Sequence, residues 1–148
     1  MASQANLSQP NDSLWIALGW EPSTLQLEQF ILLQNLLKEM NSKVNLTRLV
    51  EKEDYWIGQV FDSLWPLKKE LIKPEKVFEC IDVGTGCGFP GLALAIALPH
   101  IQLTLVDAVQ KKTSALKNIT TALGFDKRVN VLNQRIEITG QSLSLIHI

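Results

Sequence analysis

The feature that most limits this chain is an alternation of two patterns after residue 76. "KVFECIDVG" (Lys76–Gly84) is a short run of β-branched and aromatic residues stopped by glycine, which predicts a strand. Gly91–Leu98 is rich in alanine and leucine, entered through Pro90 and closed by Pro99, which predicts a helix. "IQLTLVD" (101–107) predicts a second strand. Lys111–Leu123 predicts a second helix ended by Gly124, and "RVNVLNQ" (128–134) a third strand. Strand, helix, strand, helix, strand within about sixty residues leaves a parallel sheet with right-handed crossovers. The fold class is therefore α/β.

Before residue 76 the period is helical. Ser23 or Thr24, after Pro22, can cap a helix whose apolar face is Phe30, Leu33, Leu37, Met40 and Val44. A second helix is expected from about Lys52 to Trp65, stopped by Pro66, and "LKKELIKPEK" (67–76) reads as a solvated connection. The division expected is a flexible N-terminal segment at 1–24, a helical part at 25–76 and a partial Rossmann-like sheet at 77–148. With 148 residues, 46% of them apolar, the chain can bury one core.

The formal charge of −1 gives no bulk attraction to nucleic acid or membrane, though local basic patches are compatible with it. "QKK" (Gln110–Lys112) is the best candidate for phosphate contact. Other cations, among them Lys38, Lys43, Lys52, Arg128 and Arg135, read mainly as solubilising charge. Cys80 and Cys87 fit neither a zinc spacing nor a disulfide framework, which implies reduced thiols and no metal. The polar opening "MASQANLSQPNDS" resembles no signal peptide, and Leu92–Leu98 is too short to cross a bilayer. A cytoplasmic chain without a membrane partner is expected.

In an open parallel sheet, ligands bind beyond the carboxyl ends of the strands, where a glycine loop turns into a helix. "DVGTGCGFPG" (Asp82–Gly91) is such a loop. Gly84, Gly86 and Gly88 can take positive φ and approach a ligand closely, and Asp107 ends the second strand where ribose hydroxyls would lie. Three readings stay open: a tight turn with no ligand, a dinucleotide site, and an S-adenosylmethionine site. "GCGFPG" satisfies the dinucleotide spacing, with Asp107 about twenty residues on. Asp82 favours the methyl donor, because an acid just before the loop attracts an ammonium and a sulfonium but repels a pyrophosphate. No side chain is assigned as catalytic; His100 and His147 read as solvated.

"IDVGTGCGFPG" (81–91) resembles the loop of the bacterial 16S ribosomal RNA (guanine-N7) methyltransferase family, RsmG or GidB. "NSKVNLT" (41–47), "QVFDSLWPL" (59–67), "LTLVDAVQKKTSALKNITTALG" (103–124) and "QRIE" (134–137) resemble further segments of that family in order. The resemblance implies a class I, Rossmann-like S-adenosylmethionine-dependent methyltransferase fold with N-terminal helices and only the first half of its sheet. It implies methyl transfer to N7 of a guanine in 16S ribosomal RNA, with that RNA or the small ribosomal subunit as partner. Position by position, Gly84 and Phe89 would line the methionine end of the cofactor. Asp107, Ala108 and Val109 would lie along ribose and adenine, and Ile136 and Glu137 would flank the adenine. Asp82 and Gly86 join this set from the loop itself.

Two departures stand out. Gln59 occupies a place where the family usually has His, and "SLSLIHI" (142–148) does not resemble the family's continuation. A C-terminally truncated chain is expected. Its alternatives are an inactive nucleotide- or RNA-binding remnant and, less favoured, a dinucleotide-binding oxidoreductase.

Overall fold

The computed structural model describes residues 10, 12–45, 50–73, 79–135 and 137. Seven α-helices, a π-helical turn and a 3-10 turn surround a three-stranded sheet among these residues. Helix α1 (Ser13–Leu18) ends at Gly19, whose φ of 63° lies in the left-handed region. Leu14, Trp15 and Leu18 are buried, with Trp15 edge-on to Trp20 at 5.9 Å and to Trp56 at 6.3 Å. The expected flexible segment at 1–24 is thus corrected over its second half. An indole and two leucines on one short turn have enough apolar surface to dock it.

Helix α2 (Thr24–Asn41) starts in a capping box: Gln26 N–H donates to Ser23 Oγ (3.1 Å) and Ser23 N–H to Gln26 Oε1 (2.9 Å). The remaining Gln26 amide donates to the carbonyls of Ile96 and Ala97, at 3.1 and 3.3 Å. One glutamine therefore caps α2 and satisfies the terminal carbonyls of the helix beneath it. Phe30, Leu33 and Leu37 are buried as the period required.

The second helical segment differs from expectation. Helix α3 (Lys52–Tyr55) passes into a π-helical turn (Trp56–Phe61), then α4 (Asp62–Leu64), a 3-10 turn (Trp65–Leu67) and α5 (Lys68–Ile72). Pro66 does not stop the path, because it sits in the first positions of the 3-10 turn, where no N–H is needed. The stretch read as a solvated connection carries α5, anchored by buried Leu71.

Strands β1 (Glu79–Val83), β2 (Gln102–Asp107) and β3 (Val129–Asn133) are parallel in the order β1-β2-β3. The register pairs Asp82 with Leu105 and Asp107 with Asn133, so both acids lie at the carboxyl end of the sheet. Helix α6 (Gly91–Ala97) is buried on every side, which explains its uninterrupted apolar composition. It packs against β1 and β2 on one side and α2 and α4 on the other. Helix α7 (Gln110–Ala122) crosses from β2 to β3 and contacts both.

One core runs from Leu14 through Phe30, Trp56 and the α6 residues to Val129. The helical part and the sheet are therefore packed as one body. Arg128, read above mainly as solubilising charge, is committed inward. Its Nη2 donates to Ala95 O at 2.6 Å, and its guanidinium lies 4.4 Å over the Phe125 ring. No described helix is long and apolar enough to cross a membrane.

Candidate cofactor site

The site is built from the backbone outward. Gly84 and Thr85 N–H groups both donate to Val106 O, at 2.8 and 3.0 Å, which hooks the loop over the end of β2. Gly84, Gly86 and Gly88 take φ of 69°, 60° and 97°. Their surroundings differ. A Cβ on Gly84 or Gly86 would meet nothing within 4 Å, whereas one on Gly88 would strike Leu92 Cδ1 at 2.4 Å. The first two glycines therefore present open backbone to the space beyond the sheet. The third lets the loop close onto α6.

Asp82 is 7% exposed, and its Oδ2 accepts from Thr85 Oγ1 (2.7 Å) and Gly91 N–H (3.0 Å). A carboxylate on β1 thus holds the loop and the first turn of α6 together, where a helix has a free donor. Oδ1 takes neither of these bonds. Gly91 is close to this anchor: a Cβ there would lie 2.5 Å from Leu105 Cδ2 and 2.9 Å from Asp82 Oδ2.

Burial raises the Asp82 carboxyl above its ordinary value. The Thr85 and Gly91 hydrogen bonds oppose this, and the neighbouring Asp107 charge adds to it. The folded chain then holds this proton more readily than the unfolded chain. The stability it contributes is full below the unfolded value of about 3.9 and is lost as pH rises through the higher folded value. Asp82→Asn removes that titration, so denaturant midpoints of the variant should fall less than the parent's as pH rises from about 4. Parallel profiles for the two proteins would show that Asp82 does not govern this slope.

Asp107 closes the second side. Its Oδ2 accepts from Gly86 N–H at 3.0 Å and its Oδ1 from Val109 N–H at 2.9 Å, leaving a lone pair on each oxygen for a ligand hydroxyl. Ala108 and Val109, next along the chain, are exposed at the mouth. The Asp107 carbonyl accepts from Asn133 Nδ2 (3.2 Å) and Gln134 N–H (3.1 Å), which brings the end of β3 to the same rim. Glu137 is exposed, and Ile136 lies outside the described residues, as do Leu46 and Thr47 of the family-like segment and the 138–148 tail.

The helical part reaches the loop as well. Tyr55 meets Phe89 edge-on at 6.2 Å, and Gln59 Nε2 donates to Cys87 Sγ at 3.7 Å from within the π-helical turn. Gln59 is buried, and its carbonyl accepts from Ser63 Oγ. Gln59 therefore sets an amide against the glycine loop. Sequence reasoning missed Thr85, although a lone hydroxyl among three glycines, three residues after an acid, was a readable signal. It also missed Tyr55, for which the sequence carried no signal, because the contact exists only once α3 folds over the loop.

A parallel half-sheet, open glycines at its carboxyl end and an acid closing the second strand define a Rossmann-like methyltransferase fold with part of its sheet. The chain belongs to the rRNA small subunit methyltransferase G family (GidB), whose model matches residues 26–148. It is 58% identical over 141 residues to the ribosomal RNA small subunit methyltransferase G of Prochlorococcus marinus (strain MIT 9303), covering 95% of this chain and 57% of that protein. The protein of the same name from Synechococcus sp. (strain CC9311) is 56% identical over 144 residues, 97% of this chain and 57% of the relative. That of Synechococcus sp. (strain CC9902) is 59% identical over 131 residues, 88% and 54%. The chain thus spans a little over half the length of these relatives.

Proposed function

We propose that this chain carries the cofactor half of an S-adenosylmethionine-dependent methyltransferase acting on N7 of a guanine in 16S ribosomal RNA. The observation that carries the reading is the open backbone at Gly84 and Gly86, flanked by Asp82 and Asp107 on adjacent strands. Family membership supports the substrate class.

In this reading Gly84, Gly86 and Phe89 bound the methionine end, and Asp82 places negative charge beside the cationic groups there. Asp107 accepts from the ribose hydroxyls, Ala108 and Val109 lie along the adenine edge, and Ile136 and Glu137 flank the adenine. S-adenosylmethionine, when bound, supplies an electrophilic methyl group on a sulfonium. Guanine N7 carries an in-plane lone pair and no proton, so no general base is required of the protein. The chain's contribution is alignment and exclusion of water, which by itself supplies a large share of a rate enhancement. The substrate would be 16S ribosomal RNA, free or in the small subunit, with the target base unstacked.

The test is a calorimetric titration of the 148-residue chain with S-adenosylmethionine and, separately, NAD, followed by transfer of labelled methyl to 16S ribosomal RNA. Saturable binding of the methyl donor alone, with label in guanine N7, is the expected result. NAD binding in its place would assign the loop to a dinucleotide. Donor binding without transfer would leave a nucleotide-binding remnant, a reading that the single-sided pairing of β1 among the described residues keeps in view.

A further inference from the structure

We infer that the groove between the end of α2 and the first half of α7 binds the ribose-phosphate backbone of RNA. The groove encloses about 440 Å³, and Lys43, Gln110, Lys111, Ser114 and Asn118 line it. All five side chains can donate hydrogen bonds, and no carboxylate is among the lining residues. Lys43 and Lys111 come from elements far apart in sequence and face one space. The ion pair of Lys38 with Glu51 at 3.2 Å involves neither groove lysine.

Two further observations agree in sign and position. The first turn of α7 holds no acidic residue, so its free N–H groups add partial positive charge near the lysines, offset in part by Asp107, which accepts from the N–H of Val109 just before the helix. Met40, Val44 and Ala115 give the groove an apolar wall on which a sugar or a base face can lie. The groove also begins where the candidate cofactor site ends. Gln110 directly follows Val109, whose N–H is held by Asp107 at 2.9 Å. Backbone bound here would present a neighbouring nucleotide to the carboxyl end of the sheet. Other cations are spent elsewhere: Arg128 on Ala95 O, and Lys68 on Ala17 O and the Trp65 ring.

Because RNA as the polyanion rests on the methyl-transfer reading, the experiment separates the two. Binding of naked 16S ribosomal RNA to the 148-residue chain is measured between 50 and 200 mM salt, roughly the range over which phosphate contacts reveal themselves. Lys43→Gln and Lys111→Gln are compared with Lys127→Gln, an exposed charge in the loop before β3, at the opposite end of the sheet. Each groove variant should bind about fivefold more weakly at low salt and lower the salt slope by roughly 0.7 to 0.9, while Lys127→Gln stays near the parent. S-adenosylmethionine affinity should be unchanged in all three. Groove variants that bind RNA like the parent, losses equal to that of Lys127→Gln, or a parent that binds no naked RNA would each overturn the groove. Losses seen with whole small subunits but not with naked RNA would assign it to a ribosomal protein instead. Methyl-donor binding that fails while lysine-dependent RNA binding persists would sink the methyl-transfer reading and leave the groove standing.

Discussion

Gly88→Ala should destabilise the fold by about 3 kcal/mol, from left-handed strain plus overpacking. Two terms act together. The φ of 97° is strained for any residue with a Cβ, and the added carbon would lie 2.4 Å from Leu92 Cδ1 and 3.1 Å from Leu116 Cδ2. Both leucines are fully buried, so neither can move aside without disturbing the contact of α6 and α7 with the sheet. In a chain of this size the loss corresponds to roughly 6–12 °C in melting temperature. Gly84→Ala is the informative contrast. Its φ of 69° gives strain of about 1 kcal/mol, but its Cβ would meet nothing. It should keep most of the stability and lose at least about tenfold in S-adenosylmethionine affinity, a penalty equivalent to about 1.4 kcal/mol. Thermal melts and calorimetry on the two variants separate a packing glycine from a ligand-facing one. Equal melting shifts would show that the distinction is wrong.

Trp56→Ala should cost about 3–5 kcal/mol, a large part of the total stability of a domain this size. Trp56 is 2% exposed and stands at the junction of three elements, edge-on to Trp15 and Phe30 at 6.3 Å and to Tyr55 at 5.0 Å. Removing the indole opens a cavity that α1, α2 and the π-helical turn all border. Tyr55 in turn meets Phe89, so the damage should extend to the glycine loop. Trp65→Ala is the matched control: that indole is 49% exposed and stacks on Phe61 at 5.4 Å. Its loss should stay near 1 kcal/mol. Urea titrations followed by far-ultraviolet dichroism read both. A Trp56→Ala midpoint as mild as that of Trp65→Ala would show that the aromatic junction does not organise the helical part.

The contrast between these residues shows where sequence reading succeeds. The strands, α6, α7 and the start of α2, capped by Ser23 where Ser23 or Thr24 was expected, were legible, because each rests on local chemistry: β-branched runs, Gly124 at a helix end, a side chain that accepts from its own backbone. The glycine loop was legible for the same reason, since positive φ is a property of the residue itself. Three readings failed. Residues 13–18 were read as flexible, Pro66 as a stop and Arg128 mainly as solubilising charge. The first and third were reversed by a distant surface, and Pro66 by its place in the first positions of a short turn. Trp56 receives Trp15, the 3-10 turn tolerates Pro66, and Ala95 O takes the Arg128 guanidinium.

By itself the sequence determined a parallel α/β half-sheet with a glycine loop and two acids at the strand ends, because backbone freedom and strand periodicity are local. Tertiary structure alone decided how those parts divide the labour. It turned Asp82 into the clamp of Thr85 and Gly91, separated Gly88 from Gly84 by what lies in front of each, and set Tyr55 and Gln59 against the loop. It also brought Lys43 and Lys111 to one groove. These are matters of distance between residues remote in the chain, and only the packed core fixes such distances.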